Sequence, residues 1–163
     1  GTVTVSSEPG AGSVFSVWLP ALVEGVEAAV EPVEAVPTGS ERILFVDDER
    51  VLVELARTML TALGYTVTAT SDSIKAFDIF KNRADEFDLI ITDLTMPRLT
   101  GVELARAALS VRPEIPVILC TGYTEMITEE EVKQAGIRQF VMKPLNTKNV
   151  ARLIRRVLDG GNA

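Results

Sequence analysis

Short apolar runs alternate with helical patterns from Arg42 to the end of the chain. Most of the runs are continuous, which is typical of strands buried on both faces of a parallel sheet, and one alternates apolar and polar residues. The strands predicted from these runs are 43–46, 65–70, 89–92, 117–121 and 140–142.

The stretches between these strands carry helix signals. Apolar residues recur three or four positions apart, and the helices have start or stop signals, such as Gly64 after the first and Asn146 before the last. Five strand–helix units in succession predict an α/β fold, an open parallel sheet with helices on both faces. The signals are the spacing Leu52, Leu55, Met59, Leu63; the spacing Ile74, Phe77, Phe80; residues 101–111 before Pro113; a capping box of Thr128 and Glu131; and the stripe Val150, Leu153, Ile154, Val157, Leu158.

The first 36 residues have a different pattern. Residues 2–7 and 13–19 alternate on either side of a Pro–Gly turn, which predicts a β-hairpin. An isolated hairpin is only marginally stable in water, so we expect this one to need a partner surface. Residues 21–36 have no aromatic residue and no sustained helical stripe, which favours an acidic flexible linker over the alternative of a short helix at 22–30.

Composition narrows the function classes. The 163 residues carry a net charge of −7, which disfavours nucleic-acid binding, and the first 40 residues are acidic without a single basic residue, which places a boundary near Ser40. The absence of histidine and the single cysteine exclude His-based catalysis, phosphohistidine chemistry within this chain, internal disulfides and multi-Cys zinc sites. With no signal peptide and no apolar run of membrane length, we expect a cytoplasmic piece of a longer polypeptide that makes no membrane contact.

Charged and hydroxyl side chains follow four of the predicted strands. Asp47 and Asp48 follow the first, Asp93 ends the third, Thr121 ends the fourth and Lys143 follows the fifth. Ligands of open α/β sheets bind at the carboxyl ends of the strands, so these groups should converge. Three carboxylates in one pocket repel one another, so either the pKa of one rises or a cation binds, and an all-oxygen site suits Mg²⁺. The set predicts phosphoryl transfer to Asp93, with Lys143 and Thr121 contacting the phosphoryl group.

Four motifs, each beside a predicted strand, resemble those of response-regulator receiver domains of two-component systems. They are FVDDE at 45–49, DLTMPRLTG at 93–101, CTG at 120–122 and FVMKP at 140–144. The resemblance extends over about residues 42–159. It implies a flavodoxin-like, doubly wound, five-stranded parallel sheet with strand order 2-1-3-4-5, here with an N-terminal hairpin as an appendage.

The resemblance assigns roles by position. It implies that Asp93 is the phosphoacceptor and that Lys143 contacts the phosphoryl group. It also implies that Mg²⁺ is bound directly by Asp48, largely through water by Asp47, and by the backbone carbonyl of Thr95, beside Asp93.

A conformational switch is implied at two further positions. Thr121 and Phe140 match the family's switch pair, which would change the face formed by the fourth helix, fifth strand and fifth helix of the domain. Phe140 stands where many relatives have tyrosine, so its burial on activation can form no hydroxyl hydrogen bond. The alternative for Phe140 is an ordinary core residue, and Cys120 is predicted to be inert core.

The first 20 residues resemble the final hairpin of the ATP-binding domain of sensor histidine kinases. Together the two resemblances imply a hairpin fragment at 1–20, a linker at 21–40, a receiver at 41–159 and a tail at 160–163, taken from a hybrid histidine kinase. The fragment itself is not expected to have ATP-dependent kinase activity. The implied partners are a histidine kinase or a histidine phosphotransfer protein, and a weak homodimer stays open.

Two other functions remain as alternatives. One is a receiver-like binding module that is never phosphorylated, although such modules often lose an acid or the lysine and this sequence keeps both. The other is an aspartate-nucleophile phosphatase of the haloacid-dehalogenase type. That chemistry needs a second acid two residues after the nucleophile, where this chain has Thr95.

Overall fold

The structure is a computed structural model that describes residues 1–21, 35–122 and 129–160. The chain divides into two compact units, Gly1–Glu34 and Ala35–Ala163, and each is described here by itself. Most of the predicted linker lies outside the described residues.

The first unit contains the predicted hairpin. Strands β1 (Thr2–Glu8) and β2 (Gly12–Trp18) pair antiparallel, with Glu8 opposite Gly12 at the turn. Gly10 and Gly12 both have positive φ, the left-handed backbone region that glycine adopts without strain. The aromatic side chains of Phe15 and Trp18 are exposed, as are the valines of both strands.

The second unit is built on one parallel sheet. The strands are β3 (Arg42–Val46), β4 (Thr66–Thr70), β5 (Leu89–Asp93), β6 (Val117–Thr121) and β7 (Gln139–Met142). Their order in the sheet is β4-β3-β5-β6-β7, which in receiver numbering is the expected order 2-1-3-4-5. Strands β5 and β6 are buried at every position.

Helices connect these strands, as predicted. Asn146 caps the last helix by accepting hydrogen bonds from two backbone amides, and Gly64 follows the first helix with φ +96°. Thr128 of the predicted capping box lies outside the described residues. The helices are α1 (Arg50–Ala62), α2 (Ser73–Asn82), α3 (Gly101–Val111), α4 (Glu129–Gln134) and α5 (Thr147–Leu158), and a 3-10 turn covers Ala84–Glu86.

The sheet separates two apolar layers. Because side chains alternate along a strand, Ile43 and Phe45 pack with α1 and α5, whereas Leu44 and Val46 pack with α2 and α3. Cys120 lies in the layer of α1 and α5, fully buried, and its burial raises the pKa of the thiol to about 12. This confirms the prediction that Cys120 is a core residue.

The buried face of α1 coincides only in part with the predicted stripe, of which Leu63 is buried and Met59 packs against the core. Val53, Ala56 and Leu60 fill the core, whereas Leu55 is 60% exposed. The helix carries two neighbouring apolar stripes, and both satisfy helical periodicity. Periodicity alone therefore identified the helix but not the face that meets the sheet.

None of the helices in the described ranges has the length and apolar content of a membrane span.

Candidate functional site

The carboxyl ends of β3, β5 and β6 lie side by side. Val46 is in register with Thr92, and Asp93 with Cys120, so the residues that follow these positions emerge at one edge of the sheet. Lys143 reaches the same edge because its amide donates to the carbonyl of Thr121 at 2.8 Å. The predicted convergence of the site residues is thus produced by the register of the strands.

Lys143 joins two carboxylates. Its Nζ lies 2.7 Å from Oδ2 of Asp47 and 2.6 Å from Oδ1 of Asp93. The carboxylates are 1% and 8% exposed, so the cluster is shielded from water and carries one more negative than positive charge. Burial works against the charge of the ammonium group, but the hydrogen bonds that it donates to Asp47 and Asp93 outweigh this effect and raise the pKa of Lys143.

Backbone amides hold the remaining oxygens of both carboxylates. Oδ2 of Asp93 accepts a hydrogen bond from the amide of Thr95 at 2.7 Å, and Oδ1 of Asp47 accepts one from the amide of Glu49 at 3.0 Å. Each carboxylate is therefore fixed at one oxygen by Lys143 and at the other by the loop that follows its own strand. This fixes the direction in which both acids point.

The loop after β5 closes tightly on Asp93. A Cβ atom at Gly101 would lie 2.1 Å from the carbonyl oxygen of Asp93, and the amide of Gly101 donates to Leu94 O at 3.0 Å. Glycine is required here because of this close approach. The sequence pattern contained Gly101 but gave it no role, and its place at the end of the DLTMPRLTG motif was the only available signal.

Asp48 and Thr95 flank the cluster and are exposed. Among the residues that the structure describes, no three His, Cys, Asp or Glu side chains form a metal site by themselves. The donors nevertheless fit a hard cation, because Asp47 and Asp93 already face one positive group from 2.7 and 2.6 Å and every donor is an oxygen.

The predicted switch residues lie on adjacent strands. Thr121 ends β6 and is buried, and it is opposite Met142 of β7. Phe140, opposite Leu119, is partly buried and packs against the core layer of α2 and α3. This position is compatible with a switch residue and with an ordinary core residue.

An apolar groove adjoins the cluster, and the sequence analysis missed it. Its volume is about 340 Å³, and its lining includes both Asp47 and Lys143. The apolar lining comes from α1, mostly from its outer stripe, and from the residues after Lys143. The signal that could have found it was this second stripe of α1 together with the Pro–Leu pair that follows Lys143, of which Pro144 is exposed and Leu145 partly buried. The apolar residues are Leu52, Leu55, Ala56, Met59, Pro144 and Leu145.

Comparisons with known proteins agree with this geometry. The family model described as "Response regulator receiver domain" matches residues 43–155. Sensor kinase CckA from Brucella abortus is 28% identical over 98% of this chain and 18% of its own length. The aerobic respiration control sensor protein ArcB from Escherichia coli is 28% identical over 98% and 21%. This chain thus spans about a fifth of these two relatives. Response regulator MprA from Mycobacterium sp. is 30% identical over 72% of this chain and 50% of its own length.

Solved structures give the same result. A response regulator receiver domain protein from Clostridium thermocellum superimposes with a TM-score of 0.70 at 25% identity, covering 74% of this chain and 95% of that one. The receiver domain of sensor histidine kinase PA1611 from Pseudomonas aeruginosa has a TM-score of 0.66 at 27% identity, covering 74% and 99%. The PA1611 structure has a magnesium ion coordinated in its active site cleft.

Proposed function

Since the chain belongs to the response regulator receiver family, whose members are phosphorylated on aspartate in two-component phosphorelays, we propose that Asp93 is its phosphoacceptor. The observation that carries the proposal is the 2.6 Å contact between Lys143 Nζ and Asp93 Oδ1. Asp47 shares the same ammonium but is almost fully buried at 1% exposure, and Asp48 is exposed. Of the two carboxylates that share the ammonium, Asp93 is the more exposed, at 8%, and its cation can follow the oxygen charge onto a phosphoryl group.

The proposed reaction transfers a phosphoryl group from a phosphohistidine of another protein. A carboxylate oxygen of Asp93 forms the new O–P bond while the P–N bond of the donor breaks, and the imidazole nitrogen keeps the electron pair and takes up a proton. Lys143 then moves from a carboxylate oxygen to a phosphoryl oxygen, and the hydroxyl of Thr121 contacts a second one. Asp47, Asp48, Asp93 and the carbonyl of Thr95 would hold Mg²⁺, which when bound would supply positive charge that offsets the phosphoryl oxygens.

The proposed output is a population shift. The phosphoryl group adds negative charge at the edge where β6 ends, and this draws Thr121 and Lys143 toward it. Because Phe140 lies on the strand next to Thr121, a movement of β6 changes the packing of Phe140 and of the face formed by α4, β7 and α5.

The proposed donor is a histidine kinase or a histidine phosphotransfer protein. The groove beside Lys143 supports a protein donor, because Leu55 and Val51 are exposed apolar residues on the α1 side of the cluster. Exchange with such a donor would place the domain in the cytoplasm. A weak homodimer is a separate prediction, because self-association of the chain can be measured without any phosphodonor.

The N-terminal unit is proposed to be the last hairpin of a kinase ATP-binding domain. Support comes from its apolar side chains, exposed on both faces, and from the two sensor kinases that match over 98% of this chain. We therefore expect a hairpin at 1–20, a linker at 21–40, a receiver at 41–159 and a tail at 160–163. Removing residues 1–34 should leave the urea midpoint of the receiver unchanged, and a lower midpoint would show that the hairpin stabilises it.

Incubation with a small acyl phosphate and Mg²⁺, followed by intact-protein mass spectrometry, tests the acceptor assignment. The unaltered chain should gain one phosphoryl group, and Asp93→Asn should gain none. Asp88→Asn is the matched control, because Asp88 precedes β5 as Asp93 ends it. Equal labelling of both variants would contradict the proposal. If the unaltered chain takes up no label from the acyl phosphate, the result would favour an unphosphorylated binding module.

A further inference from the structure

The start of α2 is fastened to the loop that follows Asp93. Oδ1 of Asp72, the residue before α2, lies 2.6 Å from Nη2 of Arg98. Next to it, the hydroxyl of Ser73 donates to the carbonyl of Pro97 at 2.9 Å. Two consecutive residues at the start of α2 thus bind two consecutive residues of the loop between β5 and α3. These four residues are called the loop clamp below.

The loop is held in a conformation that needs such support. Arg98 has φ +69°, in the left-handed region that residues with a side chain rarely adopt. Ser73 is only 3% exposed, so its hydrogen bond to the loop is made away from water. The Arg98 guanidinium beside Asp72 holds the pKa of that carboxyl below its usual range, and the amide of Lys75 acts in the same direction.

The same loop carries the amide that orients Asp93. Thr95 donates to Asp93 Oδ2 at 2.7 Å, and it lies between Asp93 and the clamped pair Pro97 and Arg98. Met96, which lies between Thr95 and Pro97 in the sequence, is buried in the core. The loop is therefore fixed on the far side of Thr95 by Met96 and by the clamp, and a shift of Pro97 or Arg98 reaches the Thr95 amide through a short, anchored piece of backbone.

We propose that Asp72, Ser73 and Arg98 are positioning residues for the phosphorylation of Asp93, which they influence by holding the Thr95 amide on its carboxylate. The inference rests on the proposed function. None of the three touches the reacting atoms. Their effect is on orientation, because a carboxylate that loses the Thr95 hydrogen bond turns about its own bond and spends less time aimed at the incoming phosphorus.

A plain helix-capping role is the rival explanation for Asp72. Its Oδ1 also accepts hydrogen bonds from the amides of Ile74 and Lys75, both at 3.0 Å, as an ordinary N-cap does. Asn caps helices as well as Asp, so Asp72→Asn keeps the cap and removes the charge that pairs with Arg98. This substitution separates the two roles.

The test uses the full chain and two measurements. The first is hydrogen exchange of the Thr95 amide by NMR, without Mg²⁺ or phosphodonor, with the amide of Leu44 in the core as the internal reference. The second is the rate of labelling by a small acyl phosphate with Mg²⁺. The variants are Asp72→Asn, Ser73→Ala, their combination, Arg98→Ala and the conservative Arg98→Lys. Glu86→Gln is the matched control, since it breaks the exposed pair of Glu86 with Arg83, away from the loop.

The combined variant should exchange the Thr95 amide about tenfold faster and be labelled about tenfold more slowly, with Leu44 unchanged. Arg98→Lys should recover most of what Arg98→Ala loses, and Glu86→Gln should match the parent. Unchanged exchange at Thr95, or faster exchange with an unchanged labelling rate, would overturn the positioning role. If the parent itself takes no label, the proposed function fails, and the exchange data then decide whether the clamp holds the loop.

Discussion

The two edges of the parallel sheet hold their charged side chains in different ways. At the amino edge, Arg42 forms a one-to-one pair with Asp88, with 2.7 Å between Nη2 and Oδ1, and both side chains are substantially exposed. At the carboxyl edge, one ammonium is shared by two carboxylates that are nearly inaccessible to water. The same strand, β5, begins after Asp88 and ends at Asp93, so a single element connects a balanced pair with an unbalanced cluster.

We expect this difference to separate structural charges from charges that take part in binding and chemistry. An exposed, balanced ion pair is screened by water and contributes little, and it has no capacity for a further ligand. A buried cluster with an excess negative charge destabilises the fold. A bound cation, or a bound group that redistributes the negative charge, reduces this destabilisation. The carboxyl edge is therefore the place where binding and chemistry are expected, and the following predictions compare the two edges.

The largest effect is expected from removing the shared ammonium. Lys143→Met leaves two buried carboxylates facing each other, so stability should fall by about 3 kcal/mol and phosphorylation by about 100-fold. Arg42→Met, the equivalent change at the amino edge, should have a much smaller effect on urea unfolding and none on labelling. Equal losses for the two variants would remove the distinction between the edges.

Mg²⁺ should stabilise the chain through the carboxyl edge. At a concentration of about 100 times its Kd, a ligand specific for the folded state adds about 2.7 kcal/mol to the free energy of unfolding. Urea unfolding with and without Mg²⁺ should show a gain of this order in the parent and in Asp88→Asn, and little gain in Asp48→Asn. Full stabilisation of Asp48→Asn would exclude Asp48 as a ligand.

The coupling from the cluster to β7 should depend on Thr121. With fluorinated phenylalanine, the ¹⁹F resonance of Phe140, assigned with Phe140→Leu, should move when the chain is phosphorylated. In Thr121→Ala the phosphoryl group has no hydroxyl to draw in, so the movement should be smaller at equal labelling. The resonance of Phe80, which is fully buried, serves as the reference. An unmoved Phe140 resonance in the labelled parent would identify this residue as ordinary core.

The smallest effect concerns acid stability at the amino edge. The hydrogen bond from Arg42 lowers the pKa of Asp88 below its value in the unfolded chain. A carboxyl with a lowered pKa contributes stability above the unfolded value of about 3.9, and loses it as pH falls through the folded value. Asp88→Asn should therefore reduce the loss of stability below about pH 4, by less than about 1 kcal/mol because the pair is partly exposed. Urea midpoints between about pH 5 and pH 2 measure this, and coincident curves for parent and variant would contradict it.

Local patterns were sufficient for the elements and for the edge that carries the site. The runs at 43–46, 89–92 and 117–121 each became a strand, and the residues that follow them meet because parallel strands end together. The hairpin followed from alternation and turn residues in the same way. In each case the sequence pattern and the element that it predicts both depend on residues that are close together in the chain.

Contacts between distant elements were not predictable from the sequence. The pairing of Asp72 with Arg98 joins the start of α2 to a loop 26 positions later, and neither residue stands out in its own segment. Packing against β3 and α5 decides which of the two apolar stripes of α1 meets the sheet. The sequence therefore indicated the stripe through Leu55 but not that Leu55 is exposed. Glycine is required at position 101 because the folded loop brings the carbonyl oxygen of Asp93 close to it, a contact that the sequence does not show.

Chemical trapping of the phosphorylated residue tests the central claim most directly. After treatment of the full chain with an acyl phosphate and Mg²⁺, borohydride reduces an aspartyl phosphate to homoserine, and peptide mass spectrometry locates the change. The account predicts homoserine at position 93 alone. Homoserine at Asp47, Asp48 or Asp88, or at no position of a chain that has taken up label, would contradict it.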